Sequence, residues 1–286
     1  MSAVTSEQRE RLAGRLPVAS ISGGKDSAAL SLWLTENGIE HRRVFADTGW
    51  EHPSVYEYLR GPLTEKLGPI DEVRGLLQMA DLVRKKGMFP SRLRRFCTED
   101  LKVRPLVAYH DALGAETVNV VGIRAAESAA RAKLAEWEWS DAFDADTWRP
   151  LIAWSEQDVI DMHARHGLAP NPLYLRGASR VGCFPCIFAR KSEIALVAKL
   201  MPERIDEIRQ LEADVTAAAT ARGAENPERT FFRGHTANLP VSIDEAVSWA
   251  NTARGGKRLL LLDTEPAGCV RWGLCESTAD DDGEAP

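Results

Sequence analysis

The chain has 286 residues, enough for one large α/β domain with a smaller appendage and a sizeable buried core. Acidic residues number 42 against 36 Lys and Arg, and the net charge of −6 excludes a protein that coats nucleic acid by bulk electrostatics. No apolar run is long enough to span a bilayer and no signal-peptide core opens the chain, so the expected location is the cytoplasm, with no membrane partner.

Residues 18–21 form the first expected strand, and residues 28–34 read as a helix. Between them lies Ser22-Gly23-Gly24-Lys25-Asp26-Ser27, a strand, glycine turn and helix in the order that holds a phosphate chain. The glycines let backbone approach an anion, and the first helix amides are expected as free donors at the positive end of the dipole. Lys25 adds a point charge, and the Ser22 and Ser27 hydroxyls can reach phosphate oxygens or a metal. The GxxxxGK[ST] spacing of the common P-loop is absent.

A second strand, residues 41–46, leads into Asp47-Thr48-Gly49. Asp47 at a strand end beside the phosphate loop is a candidate for holding Mg²⁺ on a triphosphate, or else a turn or capping residue. Residues 53–67 read as a helix with Pro53 in its first turn. Residues 75–104 are basic, and Arg92, Arg94, Arg95, Lys102 and Arg104 make a candidate local groove on the acidic protein. A third strand, residues 117–123, ends near Gly122, and Arg124 and Arg131 beyond it could clamp a phosphate. Such alternation predicts an α/β fold with a doubly wound, mostly parallel sheet, whose ligands bind beyond the carboxyl ends of the strands.

The texture changes near Trp148. Ser155 is an expected helix cap with Asp158 three residues on, Asn171-Pro172-Leu173-Tyr174 is a turn, and residues 192–219 are strongly helical. Cys183 and Cys186 form a CxxC in a turn, Cys97 stands upstream, and Cys269 and Cys275 lie near the end. In the expected reducing compartment, thiolates from separated segments can hold an iron–sulfur cluster or zinc, or stay free as redox thiols. The expected organisation is a nucleotide-binding core over residues 1–150, a smaller helical, cysteine-containing region over 151–276, and a disordered acidic tail over 277–286.

The Ser22–Ser27 loop resembles the SGGxDS signature of the PP-loop ATP pyrophosphatases. Asp47-Thr48-Gly49, Arg95-Phe96-Cys97-Thr98 with Lys102, Gly122-Ile123-Arg124 with Glu127 and Arg131, and Trp154-Ser155-Glu156-Gln157-Asp158 are similar to the phosphoadenylyl-sulfate (PAPS) reductase branch of that superfamily. The resemblance spans residues 18 to about 190 in order. It implies an adenine nucleotide alpha-hydrolase-like fold and cleavage of ATP between the α- and β-phosphates. It implies nucleotide contacts from Ser22, Gly23, Gly24, Lys25, Asp26, Ser27, Asp47, Gly122, Arg124 and Arg131, with Lys25, Asp26, Asp47 and Arg124 serving catalysis.

Cys97, the CxxC and one late cysteine look like the [4Fe–4S] members typified by DndC-like DNA phosphorothioation proteins. That likeness implies Cys97, Cys183, Cys186 and Cys275 as ligands, with Cys269 the alternative fourth. It also implies ATP and Mg²⁺ as cofactors, a cysteine desulfurase as sulfur donor, and DNA or subunits of a DNA-modification complex as partners. The chain departs from thiol-dependent sulfonucleotide reductases, since Trp272-Gly273-Leu274-Cys275-Glu276 replaces their Glu-Cys-Gly-Leu/Ile-His nucleophile motif. It departs from cluster-containing adenylyl-sulfate reductases too, because Cys97 lacks a neighbouring cysteine. A sulfonucleotide reductase, a tRNA thiolation enzyme and a non-catalytic ATP-binding subunit are the other readings.

Overall fold

The computed structural model describes residues 3–234, 239–252 and Trp272. Strands β1 (Leu16–Ser20), β2 (Arg42–Asp47), β3 (Asp71–Arg74), β4 (Thr117–Val120), β5 (Trp137–Ser140) and β6 (Ala145–Trp148) form one sheet in the order β3-β2-β1-β4-β6-β5. Every pairing is parallel except that of β5 with β6, which forms an antiparallel edge. The fold is therefore α/β with a mostly parallel sheet. β1 pairs on one side with β2 and on the other with β4. The chain reverses its direction of winding there, which opens a crevice beyond the carboxyl ends of β1 and β4.

Residues around β1 and β4 explain why these strands sit centrally. Val18, Ala19, Val118 and Val120 are completely buried, as a parallel strand covered on both faces requires. Helix Lys25–Glu36 packs against helix Glu156–Arg165, and both contribute to an apolar cluster with Leu30, Leu34, Trp148, Val159 and Met162. Ser155 caps the second helix: its hydroxyl accepts the Asp158 N–H at 3.1 Å, and the Asp158 carboxylate accepts the Ser155 N–H at 2.8 Å.

Two expected helices have interruptions. Residues 53–67 are helical throughout, but a π-turn, Leu59–Leu63, accommodates Pro62. The stretch 192–219 is two helices, Lys191–Leu200 and Pro202–Ala221, because Pro202 ends one and starts the other. Asn171-Pro172-Leu173-Tyr174 opens the short helix Pro172–Leu175, with the Asn171 side chain accepting the Leu173 N–H at 3.0 Å.

A second apolar cluster crosses the expected division at residue 150. Trp50, Met79, Leu82, Val83, Phe89 and Leu101 pack with Phe184, Val197, Ile205, Ile208, Leu211, Val215 and Ile243. No helix among the described residues is long and apolar enough to cross a membrane. The expected acidic tail, Cys269 and Cys275 lie outside the described residues.

Candidate functional site

The Ser22–Ser27 loop leaves the carboxyl end of β1 and turns into helix Lys25–Glu36, with Gly24 as its N-cap. Gly23 has φ +73°, and a Cβ there would lie 2.9 Å from a Val55 methyl, so this position requires glycine. The Ser27 hydroxyl accepts the Ser22 N–H at 3.1 Å and donates to the Gly24 carbonyl at 3.0 Å. Ser27 thus builds the loop, and its hydroxyl lies 3.3 Å from that of the exposed residue Ser22.

Three side chains from the chain's second half brace this loop. Asn171 Nδ2 donates to the Gly23 carbonyl at 3.2 Å, and His163 Nε2 lies 2.9 Å from the Lys25 carbonyl oxygen. The Tyr174 hydroxyl accepts the Lys25 N–H at 3.1 Å. The first helix amide is thus occupied, contrary to the expectation that all the first amides are free. Burial raises the Tyr174 pKa and lowers that of His163, holding both neutral. Their rings meet Trp272, at 5.9 and 5.2 Å between centroids.

Lys25 is buried, with Nζ 3.2 Å from Asp26 Oδ2 and 3.4 Å from Glu156 Oε1. Arg124, also buried, reaches from beyond β4 and donates through Nε to Asp26 Oδ1 at 2.5 Å. Gly122 makes this approach possible: a Cβ there would lie 2.8 Å from the Asp26 carbonyl oxygen. Lys25, Asp26, Gly122 and Arg124 therefore meet in the crevice between β1 and β4. Arg131 is ion-paired with Glu127, whose carboxylate also accepts the Arg124 N–H at 2.9 Å.

Asp47 ends β2 with both carboxylate oxygens engaged. Oδ1 accepts the Gly49 N–H at 2.8 Å and the Tyr56 hydroxyl at 2.7 Å, and Oδ2 accepts Arg74 Nε at 2.7 Å. This arrangement does not fit a carboxylate presented to Mg²⁺; Asp47 braces the turn after β2.

Beyond that turn the cysteines gather. Glu51 bridges to Cys183 by an isolated β-pair, Phe184 N–H donates to the Trp50 carbonyl at 2.8 Å, and Trp50 Nε1 donates to the Pro185 carbonyl at 3.1 Å. Thr48 Oγ1 donates to Glu51 Oε1 at 2.7 Å and lies 3.8 Å from Cys183 Sγ. Lys102 lies among Cys183, Glu51, Cys186 and Cys97. Cys183 is the chief cause of its raised pKa, followed by opposing burial. Burial pushes the Cys97 and Cys183 thiols up, while Lys102 pulls both down.

The structure thus collects Cys97, Cys183 and Cys186 around one ammonium, all three as free thiols. Among the described residues, however, no group of three or more His, Cys, Asp or Glu side chains is arranged to hold a metal ion. These three thiols are only part of the expected [4Fe–4S] ligand set, whose fourth member, Cys275, lies outside the described residues. What they can do is present sulfur beside a counter-charge that stabilises a thiolate.

Tyr174, His163, Asn171, Glu156 and Glu51 were not singled out from sequence. Asn171-Pro172 marked only a turn, and no local signal ties a residue near 170 to a loop near 24.

Residues 16–189 match the phosphoadenosine phosphosulfate reductase domain. An uncharacterized 37.8 kDa protein of Escherichia phage 186 is 33% identical over an alignment of 331 residues, covering 91% of this chain and 96% of the phage protein. The adenosine 5'-phosphosulfate reductase of Allochromatium vinosum is 36% identical over 93 residues, which cover 32% of this chain and only 35% of that enzyme. Among solved structures, the phosphoadenylyl-sulfate reductase of Candida auris in its phosphate complex aligns over 64% of this chain and 97% of that one, at 16% identity and a TM-score of 0.48. The match over residues 16–189 takes in the phosphate loop, the β2 turn, Arg124 and the CxxC, and the chain belongs to the phosphoadenosine phosphosulfate reductase domain family.

Proposed function

We propose that this protein is an ATP pyrophosphatase that adenylylates an acceptor for sulfur incorporation, with DNA phosphorothioation as the favoured setting. The observation that carries the reading is the convergence of Lys25, Asp26, Gly122 and Arg124 at the β1–β4 crevice. The thiol cluster at the end of neighbouring β2 supports a sulfur-handling second half.

ATP would lay its β- and γ-phosphates on the loop. Lys25 would leave its carboxylate neighbours for the phosphates, supplying charge where the leaving pyrophosphate gains it. Arg124 would turn from Asp26 to the α-phosphate, its fork matched to two oxygens. Asp26 holds both cations in place until the nucleotide arrives. A thiol of the Cys97–Cys183–Cys186 group, beside Lys102, would then present sulfur received from a cysteine desulfurase. A [4Fe–4S] cluster would be held by Cys97, Cys183, Cys186 and Cys275. Iron and sulfide analysis of protein purified without oxygen decides it: about four irons per chain supports the cluster, and none removes it.

The direct test is pyrophosphate and AMP formation from ATP with candidate acceptors. Lys25→Ala is expected to lower turnover by at least about a hundredfold with circular dichroism unchanged. Wild-type protein that releases no pyrophosphate with any acceptor refutes the proposal. A second reading, sulfonucleotide reduction, is favoured by the 36% local identity to an adenosine 5'-phosphosulfate reductase. Thioredoxin-dependent sulfite release from a sulfonucleotide, without ATP consumption, would establish it instead.

A further inference from the structure

Residues 82–98 carry Arg84, Lys85, Lys86, Arg92, Arg94 and Arg95 and no Asp or Glu, within a chain of net charge −6. The structure divides these cations. Arg84 is held by Asp81 and Asp214, and Lys86 by Asp100. Of the other groove candidates, Arg104 is tied to Glu99 and Asp100, and Lys102 faces the thiols. Among the described residues Arg92, Arg94 and Arg95 have no carboxylate partner.

Their setting is a built one. Ser91 and Arg94 exchange backbone hydrogen bonds, Ser91 N–H to the Arg94 carbonyl at 3.1 Å and Arg94 N–H to the Ser91 carbonyl at 3.2 Å. This closes a tight turn with Arg92 and Leu93 at its tip, and Leu93 is 94% exposed. The Arg92 and Arg95 guanidinium carbons lie 6.0 and 5.3 Å from the centre of the Phe188 ring. Cation–π contact holds guanidinium faces on a ring while their N–H edges stay available for phosphate oxygens. Arg95 is two residues before Cys97, and Phe188 two after Cys186, so this surface borders the thiol cluster.

We propose that the 91–95 turn and Phe188 bind a single strand of nucleic acid, led across the mouth of the thiol cluster. Three uncompensated guanidiniums outside the nucleotide crevice suit a ligand with repeated phosphates. The exposed Leu93 and the Phe188 ring suit unstacked bases, whose faces a duplex conceals. The identity of the strand as sulfur acceptor rests on the function proposed above; its binding does not, because neither ATP nor a reactive thiol takes part.

The test is fluorescence anisotropy of the full chain with labelled DNA and RNA strands of about 20 nucleotides and the matching duplex, across about 50–200 mM salt. Wild-type affinity is expected to fall with a log–log slope of about −2, since each phosphate contact on a single strand contributes about −0.7. Arg92→Ala with Arg94→Ala is expected to weaken binding about tenfold at low salt and flatten the slope to about −0.7. Arg94→Glu gives a second, single-site variant at an exposed position. Arg42→Ala, exposed at the opposite end of β2, and Lys25→Ala are expected to bind as wild type.

Preference for DNA or for RNA supports the surface and names the strand. Absence of wild-type binding, equal binding of the duplex, an unchanged arginine variant, or an equal loss in Arg42→Ala overturns it. Wild-type protein that releases pyrophosphate but binds no strand refutes the surface and spares the activity. Binding retained without pyrophosphate release refutes the activity and spares the surface.

Discussion

Gly122 shows how one missing methyl group shapes the site. A Cβ there would lie 2.8 Å from the Asp26 carbonyl oxygen, 3.0 Å from its carbon and 3.1 Å from the Ser27 nitrogen. All three are backbone atoms of the first turn of the phosphate helix, which has no rotamer by which to yield. Gly122→Ala should therefore displace that turn, with an overpacking cost of about 1–3 kcal/mol. ATP affinity by calorimetry is expected to fall at least about tenfold, with a lower thermal midpoint. A variant that binds ATP like wild type would show that the turn is not the nucleotide's seat. Gly23, Gly24 and Gly122 were legible in the sequence because a glycine at a strand end is a local signal. The braces were not: Tyr174 and His163 lie 149 and 138 residues from the amide and carbonyl of Lys25 that they engage. Such partners exist only once the helices have packed.

Helix Glu156–Arg165 is the element through which those distant residues act. It packs on the phosphate helix, offers Glu156 to Lys25 from its first turn, and places His163 under the Lys25 carbonyl two turns later. Its Ser155–Asp158 capping box was readable because capping is local. Ser155→Ala should cost about 1 kcal/mol and lower the melting temperature by about 2–4 °C. Pyrophosphate release should be retained at temperatures below the melt, since the cap touches no nucleotide group; a matched loss of activity at low temperature would instead tie the cap to Lys25. Strand legibility followed the same physics. β1 and β4 announce themselves as apolar runs, being central and covered on both faces. β3, Asp71-Glu72-Val73-Arg74, has three exposed residues of four and lies at a sheet edge, so its sequence carries little apolar signal. The opposite edge, β5, has Glu138 and Trp139 exposed, so it too lacks the buried apolar run of a central strand.

At the scale of the molecule, the packing does not follow the extent of the family match. The match ends at residue 189, whereas the second apolar cluster draws Met79, Leu82, Val83, Phe89 and Leu101 from inside it against Val197, Ile205, Ile208, Leu211, Val215 and Ile243 beyond it. Trp50 stands at the join, with Arg204 over its ring at 3.9 Å and Phe231 stacked on it. The same tryptophan holds Phe184 and Pro185 by hydrogen bonds, so the later helices fix the position of the CxxC as well as cover the core. A fragment ending at residue 189 would leave those buried side chains in water, each costing about 1.5–3 kcal/mol, which exceeds the margin of most domains. It should lack a cooperative thermal transition and bind a hydrophobic dye, while the full chain melts cooperatively and does not. A fragment that melts cooperatively and keeps wild-type ATP affinity would show that the helices after residue 189 are an appendage; the shared core argues that they belong to the folding unit that holds the thiols.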